Sequence, residues 1–148
     1  MKTIRVLDVT LRDGGCVNDF NFGEVYIEKI ITALEASGVD IIELGYIDDV
    51  KGSETGRTKY IDEQVITKHV LKHKRPDTSY VVMMDYGTFD VNKLQPRTVD
   101  SIDGIRIAFH KKNMKDIVRV AKIIKEKGYD YYLQPMITLR YSDYELLD

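Results

Sequence analysis

The stretch "IRVLDVTLRDGG", residues 4–15, is the most informative about the fold. Its first half has the apolar character of a β-strand, and it ends in Arg12, Asp13, Gly14 and Gly15. Two interpretations of this ending are open. It is either a tight turn that carries a surface ion pair, or a reaction centre at the carboxyl end of a parallel strand.

Strand and helix patterns alternate along the rest of the chain. Apolar runs predict strands, and apolar residues spaced three and four positions apart predict helices. Such alternation is typical of right-handed crossovers in a parallel sheet, so the fold class is α/β. The architecture is either an open doubly wound sheet or part of a (β/α) barrel. Strands are predicted at 3–10, 39–47, 79–87, 104–110 and 129–139, and helices at 23–38, 62–74, 113–128 and, in a short form, within 89–102.

Capping residues mark the ends of the predicted helices. Asp62 and Asn113 are of the N-cap type, and Gly38 and Gly128 stand where helices commonly end. The last helix has the clearest apolar face. Its inward-facing residues are predicted to be Met114, Ile117, Val118, Ala121 and Ile124.

The end of the chain suggests a helix that has only begun. Ser142 and Glu145 form a capping box, and the sequence stops at Asp148. We therefore expect residues 1–148 to be a single domain that forms the N-terminal part of a longer barrel. An incomplete barrel has open strand edges and an open apolar interior, so homo-oligomers are expected.

Composition excludes several classes of function. The chain has 148 residues, 43% of them hydrophobic, and a formal net charge of -2, so no basic surface for nucleic acid is predicted. No stretch approaches the about 18 apolar residues of a membrane span, and no secretory signal is evident. The single cysteine, Cys16, fits a reducing compartment, which predicts a cytoplasmic protein.

Polar residues stand where the predicted strands end. Glu43, Asp85, His110 and Gln134 occupy these positions in the second to fifth strands. Glu43 is the most unusual, because it lies within the apolar run "IIELGYI", where a carboxylate is costly unless it is paired or bound to a metal. In parallel α/β folds this end of the sheet carries the chemistry.

The segment "DVTLRDGG" together with the Ile-Glu pair that ends at Glu43 resembles a known superfamily. This is the metal-dependent lyase and aldolase superfamily, built on a TIM barrel, which includes hydroxymethylglutaryl-CoA lyase, isopropylmalate synthase and 4-hydroxy-2-oxovalerate aldolase. The similarity is closest to the 4-hydroxy-2-oxovalerate aldolase branch. It implies an incomplete TIM barrel of about five β/α units and a carbon–carbon lyase that acts on a 2-oxo acid.

The resemblance also implies roles for individual residues. Asp13 is expected to bind a divalent metal, Mg or Mn, and Arg12 to stabilise a pyruvate-type enolate. Glu43 would hold Arg12 or a metal-bound water in place. Gly14 and Gly15 would let the loop turn and the substrate approach, and Asp85 is a further candidate for substrate binding.

Two departures from the family pattern affect the chemistry. The family completes its metal site with a His-x-His pair from a later strand. This chain has no such pair, so the remaining ligands are expected outside it. The catalytic histidine of the aldolase branch is replaced by Cys16, which leaves Cys16, Tyr46 and His110 as candidates for proton transfer. His69 and His73 stand four apart on a predicted helix, a metal-binding spacing, but they are expected to be solvated.

Two alternative functions remain open. One is an acyl-CoA condensing enzyme of the isopropylmalate synthase type, which uses the same enolate chemistry. The other is a half-barrel that binds a 2-oxo acid without turnover.

Overall fold

The computed structural model describes residues 4–49 and 54–144 and shows one parallel sheet with helices around it. The strands follow one another in the order β1-β2-β4-β5-β6, and the short strand β3 pairs with β2. All these pairings are parallel. The elements are β1 (Leu7–Asp8), α1 (Thr10–Asp13), α2 (Glu24–Ser37), β2 (Ile41–Ile47), β3 (Lys59–Tyr60), α3 (Glu63–His69), β4 (Ser79–Asp85), β5 (Gly104–Phe109), α4 (Met114–Glu126) and β6 (Asp130–Pro135).

This sequential order decides between the two predicted architectures. A doubly wound sheet would place a strand out of sequence, whereas the five predicted strands are neighbours in chain order. The sheet curls into a half-barrel, which confirms the prediction of an incomplete barrel. Its outer side packs against the helices through residues that are almost fully buried, among them Ile42, Leu44, Val82, Ile105 and Ile107.

Strand β3 was not predicted, and a glycine in β2 makes room for it. The backbone N–H of Tyr46 donates to the carbonyl oxygen of Thr58 at 2.9 Å. Gly45 has φ +148°, and a Cβ atom there would lie 2.0 Å from that same oxygen. The register of β2 against β4 also shifts between Glu43 and Tyr46. The end of β2 therefore depends on a residue that has no side chain.

The first strand is shorter than predicted. Instead of extending over 3–10, β1 covers only Leu7–Asp8, and the helical turn α1 begins at Thr10. The Asp8 carboxylate accepts hydrogen bonds from the backbone N–H of Thr10 at 2.9 Å and from its hydroxyl at 3.0 Å. These bonds turn the chain away from the strand, because they give the backbone a local alternative to the sheet.

Helices α2 and α3 begin as predicted, but α3 ends early. Gly38 follows α2 with φ +76°, and the Asp62 carboxylate caps α3 by accepting from the N–H of Val65 at 2.8 Å. The chain leaves the helix after His69 and buries Leu71 in the core. His73 therefore lies beyond the helix, and the prediction that His69 and His73 stand on one helix is wrong.

Helix α4 has a slightly different buried face from the predicted one. Ile117, Ala121 and Ile124 are buried, and so is Val120, whereas Val118 is 53% exposed. Residues at i, i+3, i+4 and i+7 form one stripe, and Val118 is turned about 100° away from Ile117. Asn113 is the N-cap residue, but its side chain makes no capping hydrogen bond.

The last described residues leave apolar side chains on the surface. Tyr131 and Leu133 of β6 are 40% and 42% exposed, and Leu139 is fully exposed. Glu145, the second member of the predicted capping box, lies outside the described residues. Across the described ranges, none of the helices is both long and apolar enough to cross a lipid bilayer.

Candidate active site

A completely buried carboxylate lies at the centre of the candidate site. Glu43 stands in β2 between Ile42 and Leu44, which belong to the hydrophobic core. Because side chains alternate along a strand, Glu43 points to the opposite face, into the curl of the sheet. Its solvent exposure is 0%, so its charge must be balanced by other residues.

Two arginines provide this balance. Arg12 donates from Nε to Oε1 of Glu43 at 2.8 Å. Arg106 donates from Nε to Oε2 at 2.6 Å and from Nη2 to Oε1 at 2.8 Å, a bidentate arrangement. The Glu43 carboxylate thus accepts three N–H bonds from two guanidinium groups, so of the two alternatives, pairing or metal binding, the structure shows pairing.

Arg106 was not among the predicted site residues. It lies within the apolar strand "GIRIAF", between Ile105 and Ile107, and is 9% exposed. A charged residue between two apolar ones is the same local pattern that marks Glu43, so the sequence does contain a signal for Arg106. Arg106 also donates from Nη1 to Oε1 of Gln134 at 3.1 Å, so its side chain connects β2, β5 and β6.

Arg12 differs from Arg106 in its access to solvent. It extends from the short turn α1, directly after β1, and its side chain is 18% exposed. One terminal nitrogen, Nη1, donates to Oδ1 of Asp13 at 2.8 Å. Within the described residues, its other terminal nitrogen, Nη2, has no hydrogen-bond partner. Arg12 is therefore held on one side and has N–H groups free for a ligand.

The buried part of the site has an excess of positive charge. Two guanidinium groups face one buried carboxylate, while the Asp13 side chain is 68% exposed to water. Charges inside a protein interact more strongly than charges in water. The Asp13 carboxylate balances this charge from the solvent side, at Nη1 of Arg12.

Of the two glycines of the opening segment, Gly15 has a packing role that the sequence analysis did not predict. Neither Gly14 nor Gly15 has a positive φ. Gly15 is buried beneath the ring of Phe20, and a Cβ atom there would lie 2.3 Å from that ring. The positive φ values of this loop fall instead on Asp19 and Phe20, at 53° and 60°. Close packing of the Phe20 ring therefore explains why residue 15 is a glycine.

Two aromatic rings and a lysine lie together where β3 pairs with the end of β2. The rings of Phe20 and Tyr46 lie with their centroids 6.2 Å apart. The Lys59 ammonium is 5.9 Å and 5.5 Å from these two centroids and 2.7 Å from Oδ2 of Asp48. Lys59 comes to this place only because β3 pairs with β2, which explains why the sequence analysis missed it.

Tyr46 is a protonated phenol at neutral pH. Burial, as the largest cause, raises the pKa of its hydroxyl to about 12. The hydroxyl oxygen accepts the backbone N–H of Asp85 at 3.1 Å and lies 3.4 Å from the Thr88 hydroxyl. These properties suit a hydrogen-bond donor better than a base.

The other predicted residues lie at the same end of the sheet. Asp85 and His110 are both exposed and line one cleft of about 270 Å³ at the ends of β4 and β5. Cys16 is an exposed free thiol in the turn that follows Asp13.

A separate cleft of about 390 Å³ lies on the outer side, between α2 and α3, and contains none of the predicted site residues.

The described residues do not form a complete metal site. They contain no group of three or more His, Cys, Asp or Glu side chains that could hold a metal ion. Asp13 offers one carboxylate, of which Oδ1 already accepts from Arg12. One carboxylate is too few for Mg²⁺ or Mn²⁺, which take six oxygen ligands in all.

Comparison with known proteins finds similarity to aldolases. No family model matches the chain. A 4-hydroxy-2-oxovalerate aldolase of Geobacillus genomosp. 3 is 28% identical over 109 residues, which are 72% of this chain and 32% of that protein. The 4-hydroxy-2-oxovalerate aldolase 2 of Comamonas testosteroni is 29% identical over 111 residues, 74% of this chain and 31% of that protein.

The chain resembles the 4-hydroxy-2-oxovalerate aldolases. It spans about a third of the length of these curated relatives. Among solved structures, the N-terminal domain of a candidate aldolase from Bacteroides vulgatus has a TM-score of 0.68 at 22% identity. The match covers 97% of this chain and 48% of that one, and it supports the half-barrel fold.

Proposed function

We propose that this chain is part of an aldolase that makes or breaks a carbon–carbon bond of a 2-oxo acid through a pyruvate-type enolate. The observation that carries the proposal is Arg12, which is fixed by the buried Glu43 and has free N–H groups at the carboxyl end of the strands. Donors fixed before the reaction stabilise a developing oxyanion without having to reorganise.

Arg12 has two functions in this proposal. Its guanidinium fork binds an oxygen of the 2-oxo acid, and it meets the negative charge that grows on the keto oxygen as the enolate forms. Glu43 keeps the fork in this orientation through the hydrogen bond to Nε. Asp13 restricts the guanidinium from the other side through Nη1.

Cys16, Tyr46 and His110 are the candidates for proton transfer, and we assign their roles from protonation state and solvent exposure. Tyr46 is protonated at neutral pH, so we place it as a proton or hydrogen-bond donor. The base is then His110 or Cys16, which are both exposed at this end of the sheet. Asp85 lies in the same cleft as His110 and is proposed to contact the substrate.

We propose a divalent metal, Mg or Mn, as the cofactor, with Asp13 as one ligand and the remaining ligands outside this chain. The exposed Asp13 carboxylate is a suitable hard oxygen donor. One carboxylate does not make a metal site. Substrate binding, enolate stabilisation and proton transfer are therefore assigned to side chains of this chain alone. The exposed free thiol of Cys16 is consistent with a location in the cytoplasm.

A second candidate function is a half-barrel that binds a 2-oxo acid without turnover. The observation that supports it is Arg12, which Glu43 fixes and whose Nη2 has no hydrogen-bond partner within the described residues. The open side of Arg12 would bind the carboxylate equally well in that case.

The test is exchange of the pyruvate methyl protons in deuterated water, measured by NMR with Mg²⁺ or Mn²⁺ and the full-length protein that carries this chain. Exchange reports enolate formation and does not require the aldehyde to be known. We expect exchange in the wild type and a loss of about 10²–10³ in rate in Arg12→Ala. Arg12→Lys should restore little, because an ammonium group cannot reproduce the planar fork.

A matched control is Arg119→Ala, which removes an arginine from the exposed side of α4. It should exchange at the wild-type rate. Unchanged exchange in both Arg12 variants would remove Arg12 from the reaction. Pyruvate binding without exchange in the wild type would favour the binding half-barrel.

A further inference from the structure

We propose that Arg106 is the positioning residue of this site, and that through Glu43 it prepares Arg12 to bind the carboxylate group of a small 2-oxo acid. The proposal deepens the proposed function and rests on it for the identity of the ligand.

Arg106 is almost fully committed to protein partners. Its Nε and Nη2 bind the two Glu43 oxygens, its Nη1 binds Gln134, and its Nη2 also lies 3.3 Å from the sulfur of Met83. Its side chain is 11% exposed. Arg106 therefore does not contact the ligand in this proposal. The ligand is bound by Arg12, which Glu43 holds in place.

The bond between Arg106 and Glu43 fixes the Glu43 carboxylate in one rotamer. Two parallel N–H donors hold both Glu43 oxygens and allow no rotation of the carboxylate. Oε1, which accepts from Arg106, is the same atom that accepts from Nε of Arg12. The orientation of Arg12 is therefore set by a residue on β5, two strands away from β2.

Charge gives the arrangement a second effect. Without Arg106, the single negative charge of Glu43 would neutralise Arg12. With Arg106 present, the two guanidinium groups and Glu43 keep one surplus positive charge, which the exposed Asp13 carboxylate balances only from the solvent side, at Nη1 of Arg12.

Stability alone does not explain why these charges are buried. Replacing a buried ion pair by apolar residues of similar volume is often neutral or stabilising. Arg106 lies between isoleucines in a strand where an apolar side chain would be the ordinary choice. A role in binding accounts for its presence.

The experiment measures three properties of the chain and its Arg106→Met and Arg106→Lys variants. These are the dissociation constant for pyruvate by NMR titration, the Nε–H resonance of Arg12, and the melting temperature. Arg97→Met is the matched control. It removes an arginine paired with Asp103 in the loop before β5, at the opposite end of the sheet.

In Arg106→Met we expect pyruvate to bind about tenfold more weakly or worse. The Arg12 Nε–H resonance should shift or broaden even without pyruvate, because Glu43 is no longer fixed. Arg106→Lys should give an intermediate affinity, since it keeps the charge but not the bidentate fork. Arg97→Met should have a lower melting temperature, but its affinity for pyruvate and its Arg12 Nε–H resonance should match those of the wild type.

Several results would overturn the proposal. These are a folded Arg106→Met that binds pyruvate within twofold of the wild type, an Arg106→Lys equal to the wild type, or an equal loss of affinity in Arg97→Met. If Arg106→Met does not fold, Arg106→Lys decides. A wild type that does not bind pyruvate also refutes it, whereas binding without methyl exchange refutes only the aldolase function.

Discussion

At the scale of the residue, Gly15 shows how closely the loop after β1 is packed. The Phe20 ring covers its Cα, and Phe20 itself has a φ of 60°, in a region that side chains other than glycine rarely adopt. The backbone N–H of Phe20 donates to the carbonyl oxygen of Gly15 at 2.8 Å and holds this fold of the loop. The loop next to Arg12 and Asp13 is therefore constrained by packing from its own residues.

Gly15→Ala should destabilise the protein by about 1–3 kcal/mol, because the new methyl group overlaps the Phe20 ring, which must move. Gly14→Ala is the matched control. Its φ of −59° suits alanine, and the nearest atom to its Cβ is 3.4 Å away. Urea unfolding of the two variants would measure the difference. Equal stabilities would show that the Phe20 ring is not tightly held on Gly15.

At the scale of the element, one carboxylate holds the loop before β5 to its neighbours. Asp103 accepts from Nζ of Lys74 at 2.6 Å, from the backbone N–H of Tyr80 at 2.9 Å and from the Arg97 guanidinium. Burial works against its ionisation, but the bonds from Lys74, Tyr80 and Arg97 outweigh burial and lower the pKa of Asp103. The amino ends of β4 and β5 are thus fixed to each other by charge as well as by the sheet.

This lowered pKa predicts a pH dependence of stability. The unfolded state takes up the proton first, so the stabilisation is complete above the ordinary aspartate pKa of 3.8. It is lost as the pH falls through the lower pKa of the folded state. Asp103→Asn should reduce the free energy of unfolding by about 2 kcal/mol at pH 7.

The measurement is urea unfolding of the wild type and Asp103→Asn between pH 7 and pH 2. The two stabilities should converge towards the acid end. Asp100→Asn, at an exposed position in the preceding turn, should follow the wild type throughout. A constant difference between wild type and Asp103→Asn at all pH values would contradict the ionic role of Asp103.

At the scale of the whole molecule, the half-barrel has an open side. Strand β6 is last in the order of the sheet, and within the described ranges no further strand pairs with its outer edge. Tyr131 and Leu133 on this strand are 40% and 42% exposed, and Met136 and Ile137 beyond it are exposed as well. Unpaired edges and contiguous apolar surface favour association.

We expect this chain to self-associate through β6, which sedimentation velocity over a range of concentrations would detect. Leu133→Lys should shift the distribution towards the monomer, because it places a charge on the apolar side of the edge strand. Val99→Lys changes an equally apolar residue, 81% exposed in the loop before β5, and should not alter it. A wild-type chain that is monomeric at high concentration would disprove this expectation.

The sequence by itself determined the α/β class, the five main strands and the positions of Arg12, Asp13 and Glu43. These depend on the local periodicity of apolar residues and on a charge within an apolar run, which can be read over a few neighbouring positions. The same local reasoning failed at the end of α3 and at Val118, where burial against the rest of the molecule decides the outcome.

Only the tertiary structure decided what surrounds Glu43. Arg106 is 63 positions away in the chain, and its contact with Glu43 requires β2, β4 and β5 to be neighbours in a defined register. Lys59 likewise reaches the rings of Phe20 and Tyr46 only through the pairing of β3 with β2. Strand register is a property of the assembled sheet and has no local signature, so the partners of a buried charge become known only when the chain is folded.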